Sequence, residues 1–251
     1  PQRYIWELYM RLQFGDQPLG WDIGGDEKTV TSFTRDDFKK YMEDSYSARN
    51  MVLVYAGNLP RNIDKLAEKY FLDMPKRSKA DFKPYKPLKQ NSPRVNVFYK
   101  QTDQSNVILG VEAYNRDNPK RYASAVLAVI LGEGMSSRLF IQVREKRGFA
   151  YHISADHTTY ADTGIFVVYA GLKLEKIYEG LEVIIAELKA IQDEKVTDEE
   201  LNKAKEMIRG RLAIRSESTN FLAEFFGTNF AIERKIETFE EYLKNIDAVT
   251  A

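Results

Sequence analysis

The stretch QVREKRGFAYHISADHTTYADTGIFVVYAG, residues 142–171, decides the fold class. Its opening residues finish a short helix in which Leu139, Phe140 and Val143 share the inward face, and Gly148 supplies the stop. FAYHISADHTTY and TGIFVVYAGL then read as two strands, with Ala161 and Asp162 at the turn between them. A helix handing over to a hairpin is therefore the nucleus of the reading.

Outward from that hairpin the same grammar repeats. RVNVFYKQ (94–101) and NVILGVEAY (106–114) alternate like a second strand pair joined by TDQS. PKRYASAVLAVILGEG (119–134) is a helix opened by Pro119 and closed by Gly132 and Gly134. EKIYEGLEVIIAELKAIQ (175–192) is an amphipathic helix, and Thr197 with Glu200 forms a capping box for the long helix that follows. Toward the amino terminus, RYIWELYMRLQF (3–14) places Ile5, Leu8, Tyr9 and Leu12 on one helical face. A Gly-rich loop comes next, then a helix capped by Thr34 with Asp37. NMVLVYAGNL (50–59) is a short apolar run read as a buried strand, and Pro60 opens another helix.

KRSKADFKPYKPLKQNSP (76–93) has three prolines, six Lys or Arg and no period, which marks an extended linker. The element order is ααβα, linker, ββααββααα. It predicts an α+β protein of two-layer domains, each a mostly antiparallel sheet covered by helices on one face. The expected division is residues 1–74 as the carboxy-terminal portion of a first domain, 75–93 as linker and 94–251 as a complete second domain.

Bulk properties narrow the function classes. Thirty-seven basic and 37 acidic side chains cancel, which argues against a nucleic-acid protein. The absence of Cys excludes disulfides, thiolate metal sites and Cys nucleophiles. No apolar run in the sequence reaches the length of a membrane span.

Candidate chemistry is sparse. The two histidines, His152 and His157, stand five apart on one strand, so a period of two puts them on opposite faces rather than in a zinc pair. No G-x-S-x-G or phosphate-binding loop occurs. Asp36-Asp37 and Glu199-Glu200 lie in helix first turns, where the dipole accounts for them. Arg144 and Tyr151 remain. Gly148 between them lets the chain double back, which can set a guanidinium and a phenol side by side as donors to a carbonyl oxygen or the oxyanion formed from it.

VREKRGFAYHISA followed by YADTGIFVVYAG resembles the second-domain signature of the insulinase-like (pitrilysin-type) zinc peptidases, a family that includes mitochondrial processing peptidase. GDQPLGWDIGGDEKTVTSFTRDDFKKYMEDSYSARNMVLVYAGN, LGEGMSSRLF and EYLKNIDAVT are similar to further family segments in the same order. The resemblance implies a metalloendopeptidase whose paired units close like a clamshell on a peptide or small protein, as homo- or heterodimer or within one chain. It further implies that Arg144 and Tyr151 bind the substrate carbonyl and the tetrahedral intermediate. The family's H-x-x-E-H motif is absent, so zinc is expected in the parent protein and not in this piece, which by itself is expected to be inactive. A zinc-less partner subunit and a non-catalytic scaffold, as in respiratory-chain core subunits, are the competing readings. A bacterial cytoplasm or periplasm is the expected compartment.

Overall fold

The computed structural model describes residues 2–77 and 82–251. Residues 78–81, within the expected linker, lie outside the described residues. Two compact units emerge: Pro1–Asp22 with Pro84–Arg209 and Leu243–Ala251, and Ile23–Lys83 with Gly210–Tyr242. The helices are α1 (Tyr4–Phe14), α2 (Glu27–Ser32), α3 (Arg35–Ser45), α4 (Ile63–Phe71), α5 (Arg121–Gly132), α6 (Ile177–Asp193), α7 (Asp198–Ser216), α8 (Thr219–Glu233) and α9 (Phe239–Asp247). The strands are β1 (Gln104–Ala113), β2 (Ala150–Thr159) and β3 (Gly164–Lys173).

The first unit is the antiparallel α+β layer that the sequence predicts. Its sheet runs β1-β3-β2, with β2 and β3 joined as a hairpin whose turn is closed by Tyr160 N–H donating to the Thr163 carbonyl at 2.8 Å. Val168, Ala170 and Leu172 of β3 face the helical side, where they pack with Ile153 and Ala155 of β2, Leu131 of α5 and Ile184 of α6. Ile165 and Val167, on the alternate face, pack under Tyr9 and Phe14 of α1. The central strand is thus covered on both sides. That explains why its sequence is a nearly continuous apolar run rather than an alternating one. α1, grouped by sequence with residues 1–74, contributes its aromatics to this sheet.

α5 approaches the sheet closely. Residues Ser124 to Gly132 include eight buried positions, and a Cβ at Gly132 would stand 1.9 Å from the Ala155 amide nitrogen. The glycine that ends the helix is there because β2 leaves no room for a side chain.

α7 begins as its sequence indicates. Glu200 accepts from the Thr197 N–H at 3.1 Å, and the Glu200 N–H donates to the Thr197 hydroxyl at 3.2 Å. The same carboxylate receives a two-pronged bond from Arg138, Nε at 2.6 Å and Nη2 at 2.9 Å. The Arg138 fork, with the Thr197 bonds added, holds the Glu200 carboxyl down at about 2. Because the folded value lies below that of an unfolded Glu, the stabilisation is complete above the unfolded value near 4.5 and is lost as pH falls toward 2. With screening at this partly exposed site, it amounts to about 2 kcal/mol. Glu200→Gln should therefore flatten the pH dependence of urea unfolding between pH 4.5 and 2 by about that amount; an unchanged acid limb would contradict it.

Two expected strands do not form. Residues 94–101 run unpaired, with Val95, Val97 and Tyr99 at 79, 86 and 87% exposure. Their start is tied to α1, not to β1: Arg94 donates to the Gln13 carbonyl at 3.2 Å. Alternation describes which side chains could share a face, but a strand also needs a neighbouring edge. The same holds for residues 50–59 of the second unit, read as a buried strand. They stay unpaired, with Leu53 and Tyr55 exposed and Val54 against Gly227 of α8.

That second unit is otherwise helical. Its α3 starts on the Thr34–Asp37 capping box, and α2 on a second one, Asp26–Thr29. Phe221, Phe225 and Phe226 of α8 gather around Phe239, with the Phe225 and Phe239 ring centroids 4.8 Å apart. Phe38 and Met42, four apart on one face of α3, are exposed, and no strand layer backs them among the described residues.

Candidate functional site

The segment between α5 and β2 departs from regular geometry twice. Residues Phe140–Glu145 form a π-helical turn, marked by Lys146 N–H donating to the Ile141 carbonyl at 2.9 Å. Leu139 and Val143 are fully buried beneath it, as their spacing predicts. Gly148 then takes the left-handed conformation at φ +61°. Two nested backbone bonds close around it, Gly148 N–H to the Arg144 carbonyl at 3.0 Å and Phe149 N–H to the Val143 carbonyl at 2.9 Å. Lys173 N–H to the Phe149 carbonyl, at 2.9 Å, fixes this connector to the end of β3.

The second departure is a β-bulge. Ala150 pairs with Leu172 and His152 with Gly171, so Tyr151 is an extra residue in β2. Ala150 is buried in the helical-side core while the next ladder residue, His152, is exposed. Tyr151 is 54% exposed. A bulge re-aims a side chain out of a ladder, and π turns recur at functional sites.

Arg144 lies in the π turn with its side chain exposed and its guanidinium 5.0 Å from the Phe140 ring centre. The ring shelves the cation. The i, i+4 spacing of Phe140 and Arg144 is the sequence signal for this contact, beside the inward role expected of Phe140. Arg144 and Tyr151 thus flank the same glycine connector at one end of the sheet, both open to solvent. Tyr151 brings a phenol O–H and Arg144 a fork of N–H donors.

The histidines separate as period two requires. His157 packs on the helical side, where burial lowers its pKa below the ordinary imidazole value. His152 lies on the α1 side, its ring 5.4 Å from that of Tyr169. Among the described residues no three His, Cys, Asp or Glu side chains converge to hold a metal ion. The residues present do not fit a zinc centre.

The model for the peptidase M16 inactive domain matches residues 32–208. The chain belongs to this M16 family. The M16 chain is 36% identical over 256 residues to an "Uncharacterized zinc protease" of Rickettsia felis, covering 100% of this chain and 60% of that relative. It is 31% identical over 255 residues to the "Uncharacterized zinc protease YmxG" of Bacillus subtilis, covering 99% of this chain and 60% of the relative. The M16 chain therefore spans about 60% of the length of these relatives. Among solved structures, the peptidase M16 inactive domain from Pseudomonas fluorescens superposes with a TM-score of 0.85 at 22% identity, covering 100% of this chain and 60% of that one. A chain of Complex III2 from Candida albicans has the same fold, with a TM-score of 0.83 at 16% identity over 99% of this chain and 61% of that one.

Proposed function

We propose that this M16 chain is the substrate-gripping segment of a zinc-dependent metalloendopeptidase. In this reading Arg144 and Tyr151 donate hydrogen bonds to the carbonyl oxygen of the peptide bond under attack. As that carbonyl becomes tetrahedral its oxygen gains charge, and fixed donors stabilise the charged form more than the neutral one. Metal chemistry belongs to a part of the parent protein other than these residues, and the substrate is a peptide or small protein held between this unit and a second peptidase unit.

One observation carries the reading. The two donor residues occupy a π turn and a bulge on either side of one glycine stop. A purely structural helix-to-strand link would need neither irregularity. The zinc-protease names of the relatives support the parent activity.

The likeness to a Complex III2 chain favours a second reading, a non-catalytic scaffold. One experiment separates them: zinc content and cleavage of quenched-fluorescent peptides by the parent protein, with and without Arg144→Ala. The peptidase reading expects bound zinc and a loss of about 100-fold in kcat/KM with zinc retained. Cleavage that survives Arg144→Ala at full rate would overturn it, and a parent without zinc or cleavage would establish the scaffold.

A further inference from the structure

The α1 side of the sheet ends, next to Tyr151, in a set of donors that the oxyanion role does not use. β1 contributes Gln104 and Asn106, β3 contributes Lys173, Gly171 and Tyr169, and β2 contributes His152. The register sets Gln104 opposite Lys173, and Asn106, Gly171 and His152 in one row across the three strands. Gly171 has no side chain to fill the middle of that row. A Cβ there would meet the Gln104 amide at 2.9 to 3.0 Å, so the amide lies across β3 in the space the glycine leaves.

Gln104 Nε2 donates to Asn106 Oδ1 at 3.2 Å, and the Tyr169 hydroxyl donates to the same oxygen at 2.8 Å. With Oδ1 doubly occupied, Asn106 is left to offer its N–H₂ outward. Lys173 Nζ has no carboxylate within ion-pair distance among the described residues. It lies 3.9 Å from where a Cβ at Gly148 would stand, on the connector between Arg144 and Tyr151. α1 meets this face at Tyr169, through Trp6 at 6.1 Å; in the row beyond, His152 is exposed, Asn106 half-buried and Gly171 buried.

Charges of both signs flank this row in the sequence: Arg144, Lys146 and Arg147 along the neighbouring turn, with Glu145 there, Glu175 just past β3 and the exposed Asp103 just before β1. Asp156, two residues past Ser154 on the same face, is engaged by the Ser154 hydroxyl at 3.1 Å.

We infer that this platform of Lys173, Gln104, Asn106 and His152 binds the carboxylate of an Asp or Glu side chain in the peptide that Arg144 and Tyr151 hold. The inference rests on the proposed function and adds a specificity to it. Charge complementarity selects the occupant: three N–H donors and an ammonium gathered around a glycine match a carboxylate and leave a lysine side chain unpaired.

The test reads binding and cleavage separately. Fluorescence anisotropy on the 251-residue chain compares two labelled decapeptides that differ only by an internal Glu→Gln change, each with free and amidated carboxy terminus. The Glu peptide should bind about tenfold more tightly. Lys173→Gln, and Gly171→Ala through displacement of the Gln104 amide, should each reduce that ratio to about twofold, whereas Lys189→Gln on α6 should leave it alone. Thermal melts confirm that the variants fold. Equal binding of the two peptides, a ratio indifferent to Lys173→Gln, or a preference that follows carboxy-terminal amidation would overturn the inference. Cleavage by the parent then assigns the failure. If it still depends on Arg144 while the acidic preference is absent, the specificity alone falls; if it ignores Arg144, the peptidase role falls and the binding result stands on its own.

Discussion

Tyr151→Phe in the parent peptidase is expected to lower kcat by about 10²–10³-fold and to leave KM within about threefold. The change deletes one O–H and nothing else. Tyr151 is half exposed on a bulge, so the ring it leaves behind disturbs no buried contact. A donor that acts on charge appearing only in the transition state registers in kcat rather than KM. The matching control is Tyr178→Phe at the start of α6, where the ring is 81% exposed and remote from the connector in sequence. That variant should keep full rate. If Tyr151→Phe turns over within threefold of the wild type, the phenol is not gripping the reacting oxygen.

The largest effect on folding should come from Gly132→Ala. A methyl there would sit 1.9 Å from the Ala155 amide nitrogen, 2.6 Å from the Ala155 Cβ and 2.6 Å from the Ser154 carbonyl carbon. Two of those three are backbone atoms of a paired strand, which cannot swing aside as a side-chain tip would. α5 must instead lift off the sheet, loosening the packing of its buried residues against Ala155 and Ile153. The expected loss is about 3 kcal/mol, a fall in Tm of roughly 6–12 °C. Gly210→Ala on α7 is the contrast: no atom lies within 4 Å of its new methyl, and a helical glycine gives way to a better helix former. It should gain about 0.5–1 kcal/mol. Gly132→Ala melting within a degree of the wild type would show that helix and strand are less closely fitted than these distances state.

Local chemistry made much of this legible in advance. The β2–β3 hairpin, the capping boxes at Thr34 and Thr197, and the glycine stop at Gly148 depend on residues within a few positions of one another, and each appears where its residues point. Residues 94–101 show the limit. The alternation of Val95, Val97 and Tyr99 is real, but pairing depends on an edge that the run itself does not encode. The covering of the second sheet face by Tyr9 and Phe14 was hidden for a related reason: an amphipathic helix declares that it has an apolar side, not which surface that side meets.

At the candidate site the residue names were readable and the geometry was not. The intervening Gly148 and the family resemblance pointed to Arg144 and Tyr151, but a π turn and a bulge each amount to one residue gained against a regular count. Neither leaves a compositional mark on VREKRGFAYH. Lys173, Gln104 and Asn106 were invisible as a group because only the register of β1 on β3 brings them together. No spacing within either strand encodes that register.

Tyr151 is supernumerary to the hairpin. Ala150 faces the core, His152 faces away and Ile153 faces the core again, so β2 would keep an unbroken in–out rhythm if the tyrosine were excised. The scaffold and the phenol are therefore separable by a three-nucleotide deletion. A lineage, or an engineer, can remove the phenol, and with it the grip proposed for it, while the helix, the hairpin and everything packed between them stay in step.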